Sequence, residues 1–313
     1  MPCRRVRFGS DVRGLAVLAL TGLVLAGCER PLPPAQQVVP SNVVALRAVL
    51  GAAKAEGSAP AAPTAAEPTG WATLKGHFRI EGEPPPRRPL TVDKDVEVCA
   101  PGGRQVLSER LVVDSASGGI KDVVIYLTGP ARFPVGDPKW EHPDYAATRE
   151  ATLEFDQKNC IFLTHVLAMR SQQKLKILNS DPVGHNTNIK GIGGAASINA
   201  TIPVNAYAMY SPGGESSEPF DVSCSIHPWM SAWMIVRHSP YFAVSRPDGS
   251  FEIANLPAGV ELEFRVWQEA SKFLQDVKVN AQPTKWNKGR FKLTLQPDET
   301  RELEVVVPAS TFQ

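Results

Sequence analysis

The sequence predicts an all-β protein built from sandwiches of antiparallel sheets. From Trp71 onward, short segments rich in β-branched and aromatic residues recur, and Gly, Pro, Asp, Asn or Ser bounds most of them. No segment shows a long period of 3.6 residues, and strands do not alternate with helical segments. The 28 prolines and 24 glycines fit a chain with many turns. These observations favour packed sheets over a helical or an alternating α/β fold.

Composition and charge narrow the function classes. Lys and Arg total 33 and Asp and Glu total 32, which leaves a formal net charge of +1. A nucleic-acid binder needs a clustered basic excess, so no nucleic-acid partner is expected. At 43% hydrophobic residues, the chain can build ordinary cores. Its 313 residues suggest one to three domains at roughly 150 residues each.

The N-terminus has the features of an export signal. Four arginines precede GLAVLALTGLVLAG (14–27), an apolar run shorter than the roughly 20 residues that a bilayer span needs. The run ends in LAGC (25–28), which resembles the lipobox of bacterial lipoproteins. The resemblance implies a signal peptide over residues 1–27 and a lipid-modified Cys28 at the membrane of the bacterial envelope, facing the periplasm or the cell exterior. An ordinary signal peptide and an uncleaved anchor are the alternatives.

Residues 28–70 are rich in Pro and Ala and poor in aromatic residues, so we expect a semi-extended tether. The predicted strands follow in order. They are GHFRIEG (76–82), KDVVIYLTG (121–129), TLEFD (152–156), HVLAMR (165–170), KLKILNS (174–180), MIVRH (234–238), YFAVS (241–245), SFEIANL (250–256), ELEFRVW (261–267), GRFKLTL (289–295) and RELEVVVP (301–308).

Two patterns divide these strands. The segment VSRPDGSFEIANLPAGVELEFRVW (244–267) resembles the D-G-x-F-x-x-x-x-L-P-x-G motif of carboxypeptidase-regulatory-like (transthyretin-like) β-sandwiches. By that resemblance, residues 71–149 and 239–313 form the two parts of one sandwich, with residues 150–238 inserted between its strands. Two sandwiches in tandem, 71–238 and 239–313, are the alternative.

A second pattern carries candidate metal ligands. CSIHPWM (224–230) places Cys224, His227 and Met230 within seven residues, and His185 lies 39 residues before Cys224 in DPVGHN. A mononuclear copper site for electron transfer needs a thiolate, two neutral imidazoles and a weak thioether. One short loop can supply three of these ligands, and a separate strand end must supply the second imidazole. The thioether favours copper over zinc.

The ligand segment resembles the cupredoxin family, and its two-residue spacers match the amicyanin-like form C-x-x-H-P-x-M. The resemblance covers residues 150–238 and implies a Greek-key sandwich with one copper ion. It implies further that Asn186 ties the two ligand segments together. It also implies that His227 presents its ring edge at the surface among Ile226, Pro228 and Trp229, as a port for electrons.

Other cysteines and histidines have less specific settings. With Cys224 assigned to the metal, Cys99 and Cys160 remain as a candidate disulfide pair in an oxidising compartment. His165, five residues after Cys160, is a candidate further ligand.

The H-x-H pairs of multicopper oxidases, a second Cys in the ligand loop, G-x-S-x-G and H-E-x-x-H are all missing from the sequence. We therefore predict no enzyme, but an envelope-anchored copper protein that carries single electrons between redox protein partners. Two alternatives stay open. One is a copper carrier or sensor, and the other is a surface interaction module in which a metal stabilises the fold.

Overall fold

The computed structural model describes residues 66–129 and 133–313. The predicted signal peptide, the lipidation site Cys28 and the tether as far as residue 65 lie outside the described residues. Among the described residues, no helix is long and apolar enough to span a bilayer. The prediction of an all-β protein is confirmed, because strands and turns account for nearly all of the described chain.

Nineteen strands and one short α-helix, α1 (Val96–Cys99), occur in the described residues. The strands are β1 (Gly70–Glu81), β2 (Val124–Leu127), β3 (Thr152–Lys158), β4 (Ile161–Phe162), β5 (Val166–Arg170), β6 (Lys174–Asn179), β7 (His185–Ile189), β8 (Ile198–Ile202), β9 (Tyr207–Tyr210), β10 (Phe220–Ser223), β11 (Ser231–Arg237), β12 (Phe242–Val244), β13 (Ser250–Ala258), β14 (Glu261–Gln268), β15 (Lys272–Phe273), β16 (Asp276–Val279), β17 (Gln282–Lys285), β18 (Arg290–Thr294) and β19 (Thr300–Pro308). Three single 3₁₀ turns lie at Pro101–Gly103, Pro143–Tyr145 and Ala309–Phe312.

Strands from both ends of the described chain share two sheets, which we call the host sandwich. In the first sheet the order is β13-β1-β19-β16-β17, and in the second it is β12-β2-β14-β15, with β18 also on β14. Strand β1 pairs with β13 and β19, and β2 pairs with β12 and β14. Strands that precede β3 and strands that follow β11 therefore share the same two sheets.

The strands between β2 and β12 form a second pair of sheets, which we call the inserted sandwich. Their orders are β5-β11-β10-β7-β8 and β4-β3-β6-β9. Its core contains Phe155, Ile177, Val222 and Met234, all fully buried. The list of predicted strands lacks β4, β7 to β10 and β15 to β17, all of which have at most five residues. In particular, His185 is the first residue of a strand, not a residue in a loop after one.

The two sandwiches pack against each other through strand β2. All four of its residues are buried. Ile125 and Leu127 face the core of the host sandwich, whereas Val124 and Tyr126 join an apolar cluster with Val166, Ile235 and Trp267. Because alternate side chains of a strand point to opposite faces, a fully apolar strand is what a sheet covered on both sides requires.

Candidate metal centre

Pairing between β7 and β10 places both ligand segments at the same end of one sheet. Antiparallel pairing joins Asn188 to Ser223. Since the strands run in opposite directions, moving three residues back from Asn188 reaches His185, at the end where β10 passes into the ligand loop. His185 is fully buried there.

The ligand loop is closed by its own backbone. Ser223 pairs with Ser231, so residues 224–230 form the connection between β10 and β11. Within it, the Cys224 N–H donates to the Met230 carbonyl at 3.2 Å, and the Met230 N–H donates to the His227 carbonyl at 2.9 Å. These bonds hold the three candidate ligands of the loop in a compact turn. Met230 is buried at the end of that turn, 1% exposed.

The Cys224 thiol lies in the interior and accepts hydrogen bonds from two backbone groups. The N–H groups of Asn186 and His227 each approach its Sγ to 3.4 Å. It is the only free cysteine among the described residues, and it is 2% exposed. These two N–H groups fix the position of the sulfur, which is a donor that metal ions bind.

The two imidazoles face each other beside this sulfur. Their Nδ1 atoms lie 2.9 Å apart, and each Nε2 meets a carboxylate oxygen, that of Asp181 at 2.7 Å from His185 and that of Asp95 at 2.8 Å from His227. A carboxylate only accepts, so each Nε2 carries a proton and donates it to its carboxylate. The two Nδ1 atoms then face the same small space.

That arrangement fits a metal ion. A ring nitrogen of His185, one of His227 and the Cys224 sulfur lie within 4.8 Å of one another, and all three residues are buried. Two imidazole nitrogens and a sulfur that converge in one buried space are donors that a metal cation can bind together. Burial lowers the pKa of His185, as does the neighbouring His227, while Asp181 opposes them; the net shift favours the neutral ring that coordinates a metal.

Asn186 ties the two ligand segments together. Its side-chain oxygen accepts from the N–H of Ser225 at 3.1 Å and from the hydroxyl of Ser225 at 2.9 Å. Its amide group donates to the Asn199 side chain at 2.6 Å and to the Ala200 carbonyl at 3.2 Å. The residue therefore joins the start of β7, the ligand loop and strand β8.

Sequence reasoning missed the two carboxylates. Asp181 lies four residues before His185 in the segment NSDPVGHN, so its proximity was a readable signal. Asp95 belongs to the long connection between β1 and β2 of the host sandwich, 132 residues from His227. No local pattern in the sequence points to that contact.

One expectation about the electron port is wrong. The ring edge of His227 does not reach the surface: the residue is 0% exposed because Asp95 covers its outer nitrogen. Around it, Pro228 is exposed and Ile226 and Trp229 are half-buried. The Trp229 ring lies 5.1 Å from the His227 ring, centroid to centroid.

The remaining candidate residues, Cys99, Cys160 and His165, lie at two different places in the structure. Cys99 and Cys160 form a disulfide, with their Cα atoms 5.0 Å apart. His165 is not in the ligand group; its Nε2 lies 2.6 Å from Glu269 of the host sandwich, and Glu109 lies 3.9 Å from its Nδ1. Burial lowers the pKa of His165, but the hydrogen bond to Glu269 and the negative charges of Glu269, Glu109 and Asp122 together raise it above its usual value. His165 thus contributes to the contact between the sandwiches rather than to the candidate metal centre.

The fold and these contacts define a β-sandwich protein with a buried thiol and two imidazoles at one end of a sheet. No family model and no curated protein matches the chain. Among solved structures, the chain is similar to a reduced copper(I) form of an amicyanin variant, at 17% identity, over 28% of this chain and 82% of that chain, with a TM-score of 0.25.

A second reduced amicyanin variant is 14% identical over 33% of this chain and 96% of that chain, also with a TM-score of 0.25. A copper-containing nitrite reductase from Thermus scotoductus is 15% identical over 27% of this chain and 22% of that chain, with the same TM-score of 0.25. At this distance the matches carry no information about the candidate metal centre.

Proposed function

We propose that this chain is an envelope-anchored, mononuclear copper protein that carries single electrons between redox partners. The observation that carries the proposal is the convergence of one thiol and two imidazoles within 4.8 Å. Together with a thioether, these donors are the set that copper takes at electron-transfer sites. His185, Cys224 and His227 would hold the ion, and Met230 at the end of the same loop would supply the thioether. When bound, copper supplies a one-electron couple between Cu(I) and Cu(II).

The protein's own contribution is a rigid, dry setting. The residues that supply the donors are at most 2% exposed, so water is kept from them. The carboxylates of Asp181 and Asp95 hold the two rings, and two backbone N–H groups hold the Cys224 sulfur. Because these contacts fix the two rings and the sulfur, the three groups move little when the charge of the site changes.

A route to a redox partner leads outward from His227. The ring touches Asp95, whose side chain is 36% exposed, and lies beside the half-buried Trp229. The exposed Pro228 and the half-buried Ile226 belong to the same loop. We propose that a redox protein docks over this part of the surface. Only Asp95 and the neighbouring loop residues would then separate the docked protein from the His227 ring.

Burial of the candidate ligands also distinguishes between two functions, electron transfer and delivery of copper. A carrier must expose its ligands to an acceptor protein, whereas here both imidazoles are 0% exposed and the thiol is 2% exposed. This favours retention of the metal over rapid exchange, and so favours an electron carrier over a copper carrier.

Substitution of the thiol tests the proposal. Purified wild-type protein given Cu(II) is expected to bind one equivalent and to develop an intense visible band from charge transfer between thiolate and copper. Cys224→Ser replaces the soft thiolate by a hydroxyl and is expected to abolish the band. Ser223→Ala, at the adjacent position, is the matched control and should keep it. A colourless wild-type protein without bound copper contradicts the proposed function.

The membrane anchor is a separate part of the proposal, supported by LAGC at residues 25–28. In a bacterial host, the wild-type chain is expected to incorporate labelled fatty acid and to sediment with membranes. Cys28→Ala removes the thiol that would carry the lipid, so the label should be lost and the processed protein released. Equal labelling of both proteins would contradict lipidation at Cys28.

A further inference from the structure

A segment of the host sandwich lies against the metal centre of the inserted sandwich. We call residues 93–103 the strap; it belongs to the connection between β1 and β2 and contains α1. Residues 93–97 are exposed. The strap contacts the inserted sandwich mainly through Asp95, Val98 and Cys99. Val98 packs on the core of that sandwich, and Cys99 is fully buried within it.

The first contact between the strap and the inserted sandwich is made by Asp95. Its carboxylate accepts from His227 Nε2 at 2.8 Å, and its carbonyl accepts from the N–H groups of Val98 and Cys99, both at 2.9 Å. The backbone of Asp95 has φ +48°, a left-handed conformation that residues other than Gly adopt at a cost. The surroundings therefore impose this position, and Cys99 is bonded directly to the residue that holds His227.

The second contact is the disulfide between Cys99 of the strap and Cys160 of the inserted sandwich. The N–H of Cys160 donates to Asp181 Oδ2 at 2.8 Å, the oxygen that also meets His185 Nε2 at 2.7 Å. The N–H of Asn159 donates to the second oxygen of Asp181 at 2.6 Å. The strap is thus joined to both imidazoles, to one through Asp95 and to the other through Cys160 and Asp181.

These contacts form a closed ring around the two imidazoles. Sulfur atoms of the disulfide lie within 4.8 Å of a His227 ring nitrogen, and Cys160 lies equally close to Asp181 and His185. The ring consists of Asp95, His227, His185, Asp181, Cys160 and Cys99. Opening the disulfide breaks the ring at the bond that joins the strap to the inserted sandwich.

We propose that Asp95 is a positioning residue for His227 and that the Cys99–Cys160 disulfide is the latch that keeps it in place. A dithiol reductant opens the latch: two electrons and two protons convert the disulfide to two thiols, while the reductant becomes a cyclic disulfide. The exposed strap then detaches, Asp95 leaves His227, and the metal centre opens to solvent. The consequence for copper rests on the proposed function, whereas the movement of the strap does not.

The first test uses metal-free protein and hydrogen exchange. Amides of residues 93–103 and 224–230 are expected to exchange about tenfold faster after treatment with dithiothreitol. In Asp95→Ala, which leaves the disulfide intact, the ligand loop is expected to show the same effect. Asp93→Ala, on the same strap, is the matched control and should leave the ligand loop unchanged. Strands β13 and β14 report that the host sandwich stays folded. Unchanged protection of both segments after reduction would overturn the latch.

The second test uses copper-loaded protein and release of the metal to excess chelator. Asp95→Ala and the double variant Cys99→Ser/Cys160→Ser are expected to release copper about tenfold faster than wild type. Asp95→Asn keeps an oxygen that accepts from His227 Nε2, so partial rescue is expected. Equal release rates in all variants would overturn the role of Asp95. A wild-type protein that takes up no copper would contradict the proposed function, and the metal-free exchange would still decide the latch.

Discussion

At the residue scale, two carboxylates decide which nitrogen of each imidazole is available. Asp181 and Asp95 both take Nε2, which turns the Nδ1 atoms of His185 and His227 toward each other and toward the Cys224 sulfur. A hydrogen bond to a charged group contributes about 1.5–3 kcal/mol, enough to select one tautomer and one ring orientation. The pattern Cys-x-x-His reveals the ligands, whereas their orientation depends on these partners.

Asn186→Ala tests how the ligand segments are joined. The substitution leaves the Ser225 N–H and hydroxyl without their acceptor, so we expect the free energy of unfolding to fall by about 2 kcal/mol. Copper affinity should fall about tenfold or more, because the two ligand segments lose their tie. Urea unfolding and competition with a chelator measure the two effects.

The matched control is Asn188→Ala on the same strand, whose side chain makes no hydrogen bond within the described residues. It should change both quantities little. Equal losses in the two variants would show that the effect comes from strand β7 rather than from the bonds of Asn186.

At the scale of the elements, strand register places the site. The pairs Asn188 with Ser223 and Ser223 with Ser231 bring His185 and residues 224–230 to one end of the sheet. A shift of one residue in either pair would turn the ligand side chains to the opposite face. The host sandwich depends on register in the same way, through β1, whose neighbours β13 and β19 both come from beyond the insertion.

Gly76→Ala tests the pairing of β1 with β19. A Cβ at this position would clash with the Leu303 carbonyl oxygen, a backbone atom that cannot move without breaking the ladder. We expect unfolding free energy to fall by about 3 kcal/mol, as measured by denaturant titration. Gly129→Ala, where the nearest atom would be 3.9 Å away, should stay within about 0.5 kcal/mol of wild type. A small effect at Gly76 would argue against the close approach of these strands.

At the scale of the whole molecule, the two sandwiches are joined by an apolar cluster and by a buried ion pair. Arg170 of the inserted sandwich donates two hydrogen bonds to Glu141 of the host sandwich, each 2.9 Å long. Both side chains are at most 2% exposed. Arg149 and the N–H of Gly136 also donate to this carboxylate. Because two parallel hydrogen bonds restrict rotation, the pair restricts how the inserted sandwich is oriented as well as holding it to the segment that contains Glu141.

Glu141→Gln gives a pH-dependent prediction. Burial raises the pKa of Glu141, but the bonds from Arg170, Gly136 and Arg149 outweigh it and hold that pKa below the usual 4.5. A carboxyl whose folded pKa is lowered stabilises the protein above the unfolded value, and this contribution is lost as pH falls through the folded pKa.

The variant should therefore lose about 3 kcal/mol near pH 7, because the Arg170 charge stays buried without its partner. The difference from wild type should shrink below about pH 4.5. Urea unfolding at several pH values measures it. Glu154→Gln, which removes an exposed carboxyl 3.9 Å from Lys176, is the control and should cost little. A loss that does not vary with pH would contradict the charge-based explanation.

Local patterns in the sequence predict the strands of both sandwiches where apolar residues alternate or run together, as in KDVVIYLTG and SFEIANL. They miss β7, because HNTNI is polar and its stability comes from pairing with β8 and β10. They also miss the burial of His227. The family resemblance of the ligand loop implied a surface port, but Asp95, from the connection between β1 and β2, lies against the ring.

The sequence by itself determined the all-β class and the residue types of the candidate metal centre, because periodicity and the spacing Cys-x-x-His-x-x-Met are properties of short stretches of chain. Only the tertiary structure decided that the sheets of β3 to β11 lie between strands of two other sheets, that Asp181 and Asp95 hold the two imidazoles, and that His227 is covered. The contact between Asp95 and His227 spans 132 residues. Such contacts depend on how complete sheets pack together, and nothing within a short window of sequence specifies them.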